Sequence, residues 1–218
     1  MKTIVVSSQK GGSAKTTLAA LLSVEAELAG DGPVWVIDTD QQGSLARWHE
    51  RRESETPKRA EIPFKGLTDG LAVIAGTHGA AICFIDTAPA ISGQSAAIIG
   101  LADLVLIPVQ PSPVELWAVA DTIELVKAAA KPFRFIITKA KERANVTAQT
   151  VAALSHHGPV AENFIADRVA YAVAMAGGNT APELLPKGAA ATETKLLWKE
   201  IKGAFQQISK PAKKVYHG

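Results

Sequence analysis

Apolar runs recur along the chain at positions 3–7, 34–38, 81–86, 104–108, 133–138 and 160–165. They are continuous rather than alternating, which predicts strands buried on both faces. Between and after them lie stretches with helical spacing of apolar positions: 16–29, 44–52, 67–77, 94–102, 114–130, 146–157, 168–176 and 194–208. This alternation predicts an α/β fold, a single domain with a mostly parallel β-sheet and helices on both faces. Gly30-Asp31-Gly32-Pro33 stops the first helix. Residues 53–61 are polar and read as a surface connection to a short strand at 62–65. The domain is expected to span 1–209, with 210–218 a basic, frayed tail.

Composition narrows the class. The chain has 218 residues, 47% hydrophobic and 20% charged, enough for one domain with a substantial core. Cys83 is the lone cysteine and lies inside the apolar run 81–85, where it reads as a small buried hydrophobe. One cysteine excludes a disulfide within the chain and a metal cluster needing two cysteines from each subunit. The adjacent His156 and His157 fall near a helix end and suit cap or surface roles. No apolar run approaches the ~20 residues of a membrane span. The first strand begins at once, with no signal pattern before it, so a reducing cytoplasm is the expected setting. Net charge is only +2, but residues 187–218 carry seven lysines against Glu193 and Glu200, and the rest of the chain is net negative. Such asymmetry points to a polyanion contact at one end.

The chemistry concentrates after the first strand. Ile4-Val5-Val6 leads to Lys10-Gly11-Gly12-Ser13-Ala14-Lys15-Thr16-Thr17, and a helical stretch follows. A strand, a Gly-rich turn and a helix start present backbone N–H groups and the positive end of a helix dipole to an anion. In a phosphate loop of this kind the Lys15 ammonium reaches the terminal phosphates and the Thr16 hydroxyl takes a place on Mg²⁺. A Gly-rich turn with incidental lysines would fit the octapeptide alone. The flanking elements and two acidic strand ends agree with the phosphate loop.

The first acidic end is 34–44, which carries Asp38 and Asp40. At i and i+2 of a strand both carboxylates would face the nucleotide crevice; two aspartates capping the helix at 44–52 is the alternative. The second is Ile82-Cys83-Phe84-Ile85-Asp86-Thr87-Ala88-Pro89, where Asp86 could simply cap a loop, although its spacing from the phosphate loop favours a metal role. Oxygen donors beside a phosphate site suit Mg²⁺, which keeps several of its waters.

The two lysines of the loop resemble the pattern Lys-Gly-Gly-x-Gly-Lys-Thr-Thr of the deviant Walker A ATPases, which include ParA-type partition proteins, MinD and the nitrogenase iron protein. Ala14 stands where that family has glycine, and a methyl group there can force a backbone angle that glycine takes freely. Residues 34–44 resemble the family's Asp-x-Asp-Pro-Gln-Gly segment, with Gln41 in place of proline. Residues 82–89 resemble Walker B, which implies that Asp86 holds Mg²⁺ through water, followed by a switch loop at 87–93. Residues 107–113 resemble the Pro-rich segment of ParA proteins, and 135–139 the strand before an adenine-contacting loop, which places Thr138 and Lys139 near the base. Residues 164–171 and 177–180 resemble the late strand–helix–loop. The likeness is greatest to small plasmid ParA proteins of the ParF-like branch, which lack an extra N-terminal helix-turn-helix domain.

The resemblance implies a phosphate-loop NTPase fold and an Mg-ATP-dependent homodimer that partitions plasmids or chromosomes. Lys10 would reach across to the other subunit's phosphates, Asp38 would lie near Mg²⁺, and Asp40 would orient the attacking water. With no in-cis arginine finger visible, turnover is expected to be slow and stimulated by a ParB-like partner. ParA dimers bind DNA nonspecifically on the nucleoid. Here Lys195, Lys199 and Lys202 share one helix face, away from Leu197, Ile201, Phe205 and Ile208. That stripe suits phosphate contacts, or is a solvated face, and Arg168 is a further DNA candidate by resemblance. Two other functions compete. A MinD-like positioning ATPase acting on a membrane or protein scaffold would, for the membrane, need a C-terminal amphipathic helix with large apolar residues exposed, and residues 210–217 have few of these and carry Pro211. A small-molecule kinase would need a legible substrate pocket, and Lys10 argues against it.

Overall fold

The structure is a computed structural model that describes residues 1–89, 93–141 and 145–208, with side chains through residue 205. In chain order the elements are β1 (Lys2–Val6), α1 (Lys15–Leu28), β2 (Val34–Asp38), α2 (Ser44–Glu50), β3 (Lys58–Arg59), α3 (Leu67–Gly76), β4 (Ile82–Asp86), α4 (Gly93–Gly100), β5 (Leu104–Val109), α5 (Pro113–Ala118), α6 (Ala120–Ala128), β6 (Phe133–Ala140), α7 (Asn145–Ser155), β7 (Ile165–Ala166), α8 (Val169–Ala176), α9 (Ala181–Leu184) and α10 (Ala189–Ile208). Among the described residues, the strands form one seven-stranded sheet in the order β3-β2-β4-β1-β5-β6-β7. Every strand pair is parallel.

The continuous apolar runs are what a two-faced sheet requires. Along β1, Ile4 and Val6 enter one core and Val5 the other. The same alternation holds on β4, with Phe84 on one side and Cys83 and Ile85 on the other. One core packs α1, α2 and α10 against the sheet; the other packs α3, α4, α6 and α7. Residues of β1, β2 and β4 are almost wholly buried, and α1 is buried on most of its circumference from Leu18 to Ala26. The C-terminal ends of β1, β2 and β4 therefore converge at one edge of a rigid core, where an open parallel sheet places its ligands.

Four expectations are corrected. The strand expected at 62–65 is instead β3, paired with Trp35 and Val36, while Phe64–Gly66 form a single 3₁₀ turn after Pro63. Charged Lys58 and Arg59 are tolerated there because β3 is an edge strand. The strand expected over 160–165 shrinks to β7 and one bridge between Val160 and Phe135. The Glu200 carboxylate takes the N–H groups of Glu162 and Asn163, so they do not extend the ladder. The helix expected over 114–130 is interrupted at Val119, whose φ of −79° and ψ of −20° keep the chain helical through the bend. Finally, α10 starts at Ala189, and α9 was not anticipated, although Thr180 and Glu183 form a capping box around a first-turn proline. The basic tail at 210–218 lies outside the described residues.

Candidate functional site: a phosphate crevice

Between β1 and α1 the chain turns through exposed Gly11 and Gly12, and α1 begins at Lys15. Ala14, at the helix N-cap, has φ 71° and ψ 28°, in the left-handed region. The angle anticipated for this position is thus present, carried by a residue with a Cβ. The loop is fastened from below and from the side. The Thr138 hydroxyl donates to the Ser13 carbonyl at 3.1 Å, and the side chains of Lys139 and Gln110 donate to the Gly12 carbonyl. Thr138 is 1% exposed, so its side chain is a support of the loop; Lys139 lies at the crevice.

Lys15 is 7% exposed and its Nζ donates to the Lys10 carbonyl at 3.2 Å. Burial pushes its pKa down, against the opposing pull of Asp86, Asp40 and Glu115. A half-desolvated ammonium beside an open hollow is poised for an anion. The hollow has a volume of about 560 Å³ and is walled by the loop, Asp40 and α2.

Asp86, at the end of β4, is 1% exposed. Its Oδ2 accepts the Thr16 hydroxyl at 2.6 Å, whereas its Oδ1 is buried with no partner among the described residues. Burial pushes this carboxyl up to about 7, against the Thr16 hydrogen bond. An orphaned carboxylate oxygen beside a hydroxyl on a helix N-terminus is the donor set that Mg²⁺ takes through its waters. Thr16 and Asp86 would hold the ion, which would screen the phosphate charge. Thr16, Thr17, Asp40 and Lys15 all line the same hollow.

Asp38 pairs in register with Asp86 across the sheet. β2 ends at Asp38, so Asp40 lies beyond the strand, and strand alternation does not set the relation between the two carboxylates. Both Asp38 oxygens are engaged by backbone: Oδ1 accepts Asp40 N–H and Oδ2 accepts Ala46 N–H in the first turn of α2, each at 3.0 Å. Asp38 therefore shapes the turn that carries Asp40 to the crevice. Asp40 Oδ1 accepts the Gln42 N–H at 2.9 Å.

Lys10 does not point into free space. Its Nζ lies 2.6 Å from Glu115 Oε1 on α5, a carboxylate whose side chain is 7% exposed. Two cations missing from the sequence expectation, Arg47 on α2 and Arg51 at its C-terminal cap, also line the hollow. The motif carried no signal for them, because only the docking of α2 against α1 turns that helix toward the phosphates. Arg168, the N-cap residue of α8, is paired at 2.6 Å with Glu193 of α10. Lys195, Lys199 and Lys202 are exposed on one face of α10, with Leu197, Ile201 and Phe205 buried on the other. Lys202 donates to Asp31. The side chain of Ile208 and the switch-loop residues 90–92 lie outside the described residues.

Among the described residues there is no cluster of metal-ligating side chains of the His/Cys/acid type and no helix long and apolar enough to cross a membrane. Burial pushes the Cys83 thiol up to about 12, as a structural cysteine requires.

Residues 4–181 match the model of the CobQ/CobB/MinD/ParA nucleotide binding domain. Maintenance of carboxysome distribution protein A from Halothiobacillus neapolitanus is 26% identical over 201 residues, 88% of this chain and 91% of that protein. Protein ParA from Rhizobium radiobacter is 30% identical over 129 residues, 58% of this chain and 56% of that protein. The septum site-determining protein MinD of Pyrococcus horikoshii OT3, complexed with Mg-ADP, superposes with a TM-score of 0.77 at 16% identity, over 96% of this chain and 99% of that one. With its phosphate loop, its two acidic strand ends and its all-parallel sheet, the chain belongs to the CobQ/CobB/MinD/ParA nucleotide-binding family as a ParA-type deviant Walker A protein.

Proposed function

We propose that the chain is a Mg-ATP-dependent ATPase switch that dimerises on ATP, binds DNA nonspecifically and positions a cellular cargo with a small partner protein. The observation that carries this is a buried Lys15 at the crevice, within the electrostatic reach of Asp86, whose Oδ1 has no partner among the described residues. One group awaits a phosphate and the other a metal water. ATP hydrolysis follows from the same layout: Lys15 and Lys10 stabilise developing charge on the transferred phosphoryl group, and Asp40 orients water. Lys10 acts in trans, so nucleotide binding and self-association become one event. The cargo is a plasmid or chromosome partitioned through a ParB-like protein, and the likeness to a carboxysome distribution protein makes a protein-bodied cargo the second reading.

The test is sedimentation velocity with and without Mg-ATP, beside titration of a fluorescent ATP analogue. The parent should dimerise on ATP. Lys15→Ala should lose tight nucleotide binding, since it removes the cation on the β/γ-phosphates. Lys10→Ala should keep nucleotide binding within about threefold while dimerisation weakens at least about tenfold, the scale of an interfacial charge pair. A Lys10→Ala chain that dimerises like the parent would overturn the trans role.

A further inference from the structure

The helix that holds Lys10 carries an apolar face that nothing among the described residues covers. In α5, Glu115 is 5% exposed and turned inward to Lys10, whereas Val114 is 52% and Trp117 75% exposed. Residues three apart lie on one side of a helix, so Val114 and Trp117 form a single apolar ridge. The chain has four tryptophans; Trp35, Trp48 and Trp198 are 8%, 2% and 2% exposed. Just before α5, the Gln110 side chain donates to the Gly12 carbonyl, so this helix forms the outer wall of the phosphate loop.

We infer that Trp117 is the apolar anchor of the nucleotide-dependent dimer, covered by a second copy of this chain. The inference rests on the proposed trans role of Lys10. Lys10 starts 2.6 Å from Glu115, so a second chain that offers its phosphates to Lys10 approaches beside α5, where the Val114–Trp117 ridge is exposed. A large, rigid aromatic at such a spot supplies contact area at low entropic cost, which is why tryptophan dominates interface hot spots. Duplex DNA is the poorer occupant. The exposed charged side chains next along the chain are Asp121 and Glu124, which repel phosphate, before Lys127 is reached.

The exposed tryptophan is its own reporter. Acrylamide quenching of the parent's emission should fall when Mg-ATP is added above the dimerisation concentration. In Trp117→Phe, whose remaining tryptophans are buried, the quenching should not change with ATP. Trp117→Gln should weaken association at least about tenfold in sedimentation, the effect of losing one hot spot, with fluorescent-ATP binding to the monomer within about twofold of the parent. Near-ultraviolet circular dichroism and the unfolding midpoint check that both variants fold. Should the parent stay monomeric in ATP, the dimer itself fails, and this anchor with it. If the parent dimerises while Trp117 stays quenchable and Trp117→Gln associates normally, only the anchor fails. Protection of Trp117 by ATP without a change in mass, or by duplex DNA without ATP, would assign the ridge to another occupant and overturn the inference.

Discussion

Ala14 holds a backbone conformation that side chains resist. At φ 71° its Cβ crowds the following carbonyl, a strain of about 1–2 kcal/mol. Replacing it with glycine removes that strain but frees the unfolded chain by about 0.4–1 kcal/mol. The balance favours Ala14→Gly by about 1 kcal/mol, a rise in unfolding midpoint of about 2–4 °C for a domain of this size. Ala14 also lines the crevice, so the loss of its methyl group should tighten nucleotide binding rather than loosen it. Scanning calorimetry of the two chains, then nucleotide titration of each, checks both halves; an unchanged midpoint would mean the loop relaxes around alanine. The strain was legible from sequence because the pattern demands glycine for a backbone reason. The role of Asp38 was less so: two aspartates near a strand end and a helix start fit a metal site and a helix cap equally, and the hydrogen bonds to Asp40 and Ala46 emerge only once β2 is seen to end at Asp38.

Among the elements, those buried on two faces were readable and those at the margins were not. β1, β2, β4 and β5 are long apolar runs whose burial dictates their state. β3, β7 and α9 are short, and tertiary contacts decide them. The α8–α9 turn is a case in point. Gly178 has φ 76°, and a Cβ added there would meet the Arg51 carbonyl carbon at 2.4 Å. Arg52, with a side chain 1% exposed, stacks over Trp48 at 4.7 Å, donates to the Gly178 carbonyl at 2.9 Å and pairs with Glu183 at 2.7 Å. This clamp ties α2, and with it Arg47 and Arg51, to the opposite wall. Burial alone would raise the Glu183 pKa, but the hydrogen bond and charge of Arg52 outweigh it, and the carboxyl is held below its ordinary 4.5. A lowered carboxyl stabilises fully above its unfolded pKa and loses that contribution as pH falls through the folded one. Glu183→Gln should therefore cost about 1–2 kcal/mol near pH 7, the scale of a charge-assisted hydrogen bond at a half-buried site, and progressively less in acid below pH 4.5. Urea unfolding at neutral and acidic pH measures it; an equal loss at both would show that the amide costs packing and not charge.

At the scale of the whole molecule, charge is divided between two ends. The phosphate crevice gathers Lys15, Arg47 and Arg51 for a nucleotide, while Lys195, Lys199 and Lys202 stand on the outer face of α10. The folded chain tempers that outer stripe, because Lys202 donates to Asp31, which also accepts the Trp198 indole N–H at 2.9 Å. Lys195 lies close enough to Glu25 to offset in part the burial that raises its carboxyl. If the stripe binds duplex phosphates, the three lysines contribute unequally. Lys199→Gln should weaken binding more than Lys202→Gln, whose charge is already partly satisfied. Replacing all three by Gln should weaken binding to every sequence alike and flatten the log–log salt dependence by about one unit for each lysine–phosphate pair removed. Nucleotide affinity should not change, since none of the three reaches the crevice. Fluorescence anisotropy on a labelled duplex over a salt series, with a parallel nucleotide titration, separates weakened phosphate binding from misfolding. A triple variant that binds DNA like the parent at matched salt would make α10 an ordinary solvated face. Arg168 could then carry DNA only by giving up its pairing with Glu193, which makes Arg168→Gln the next variant to measure.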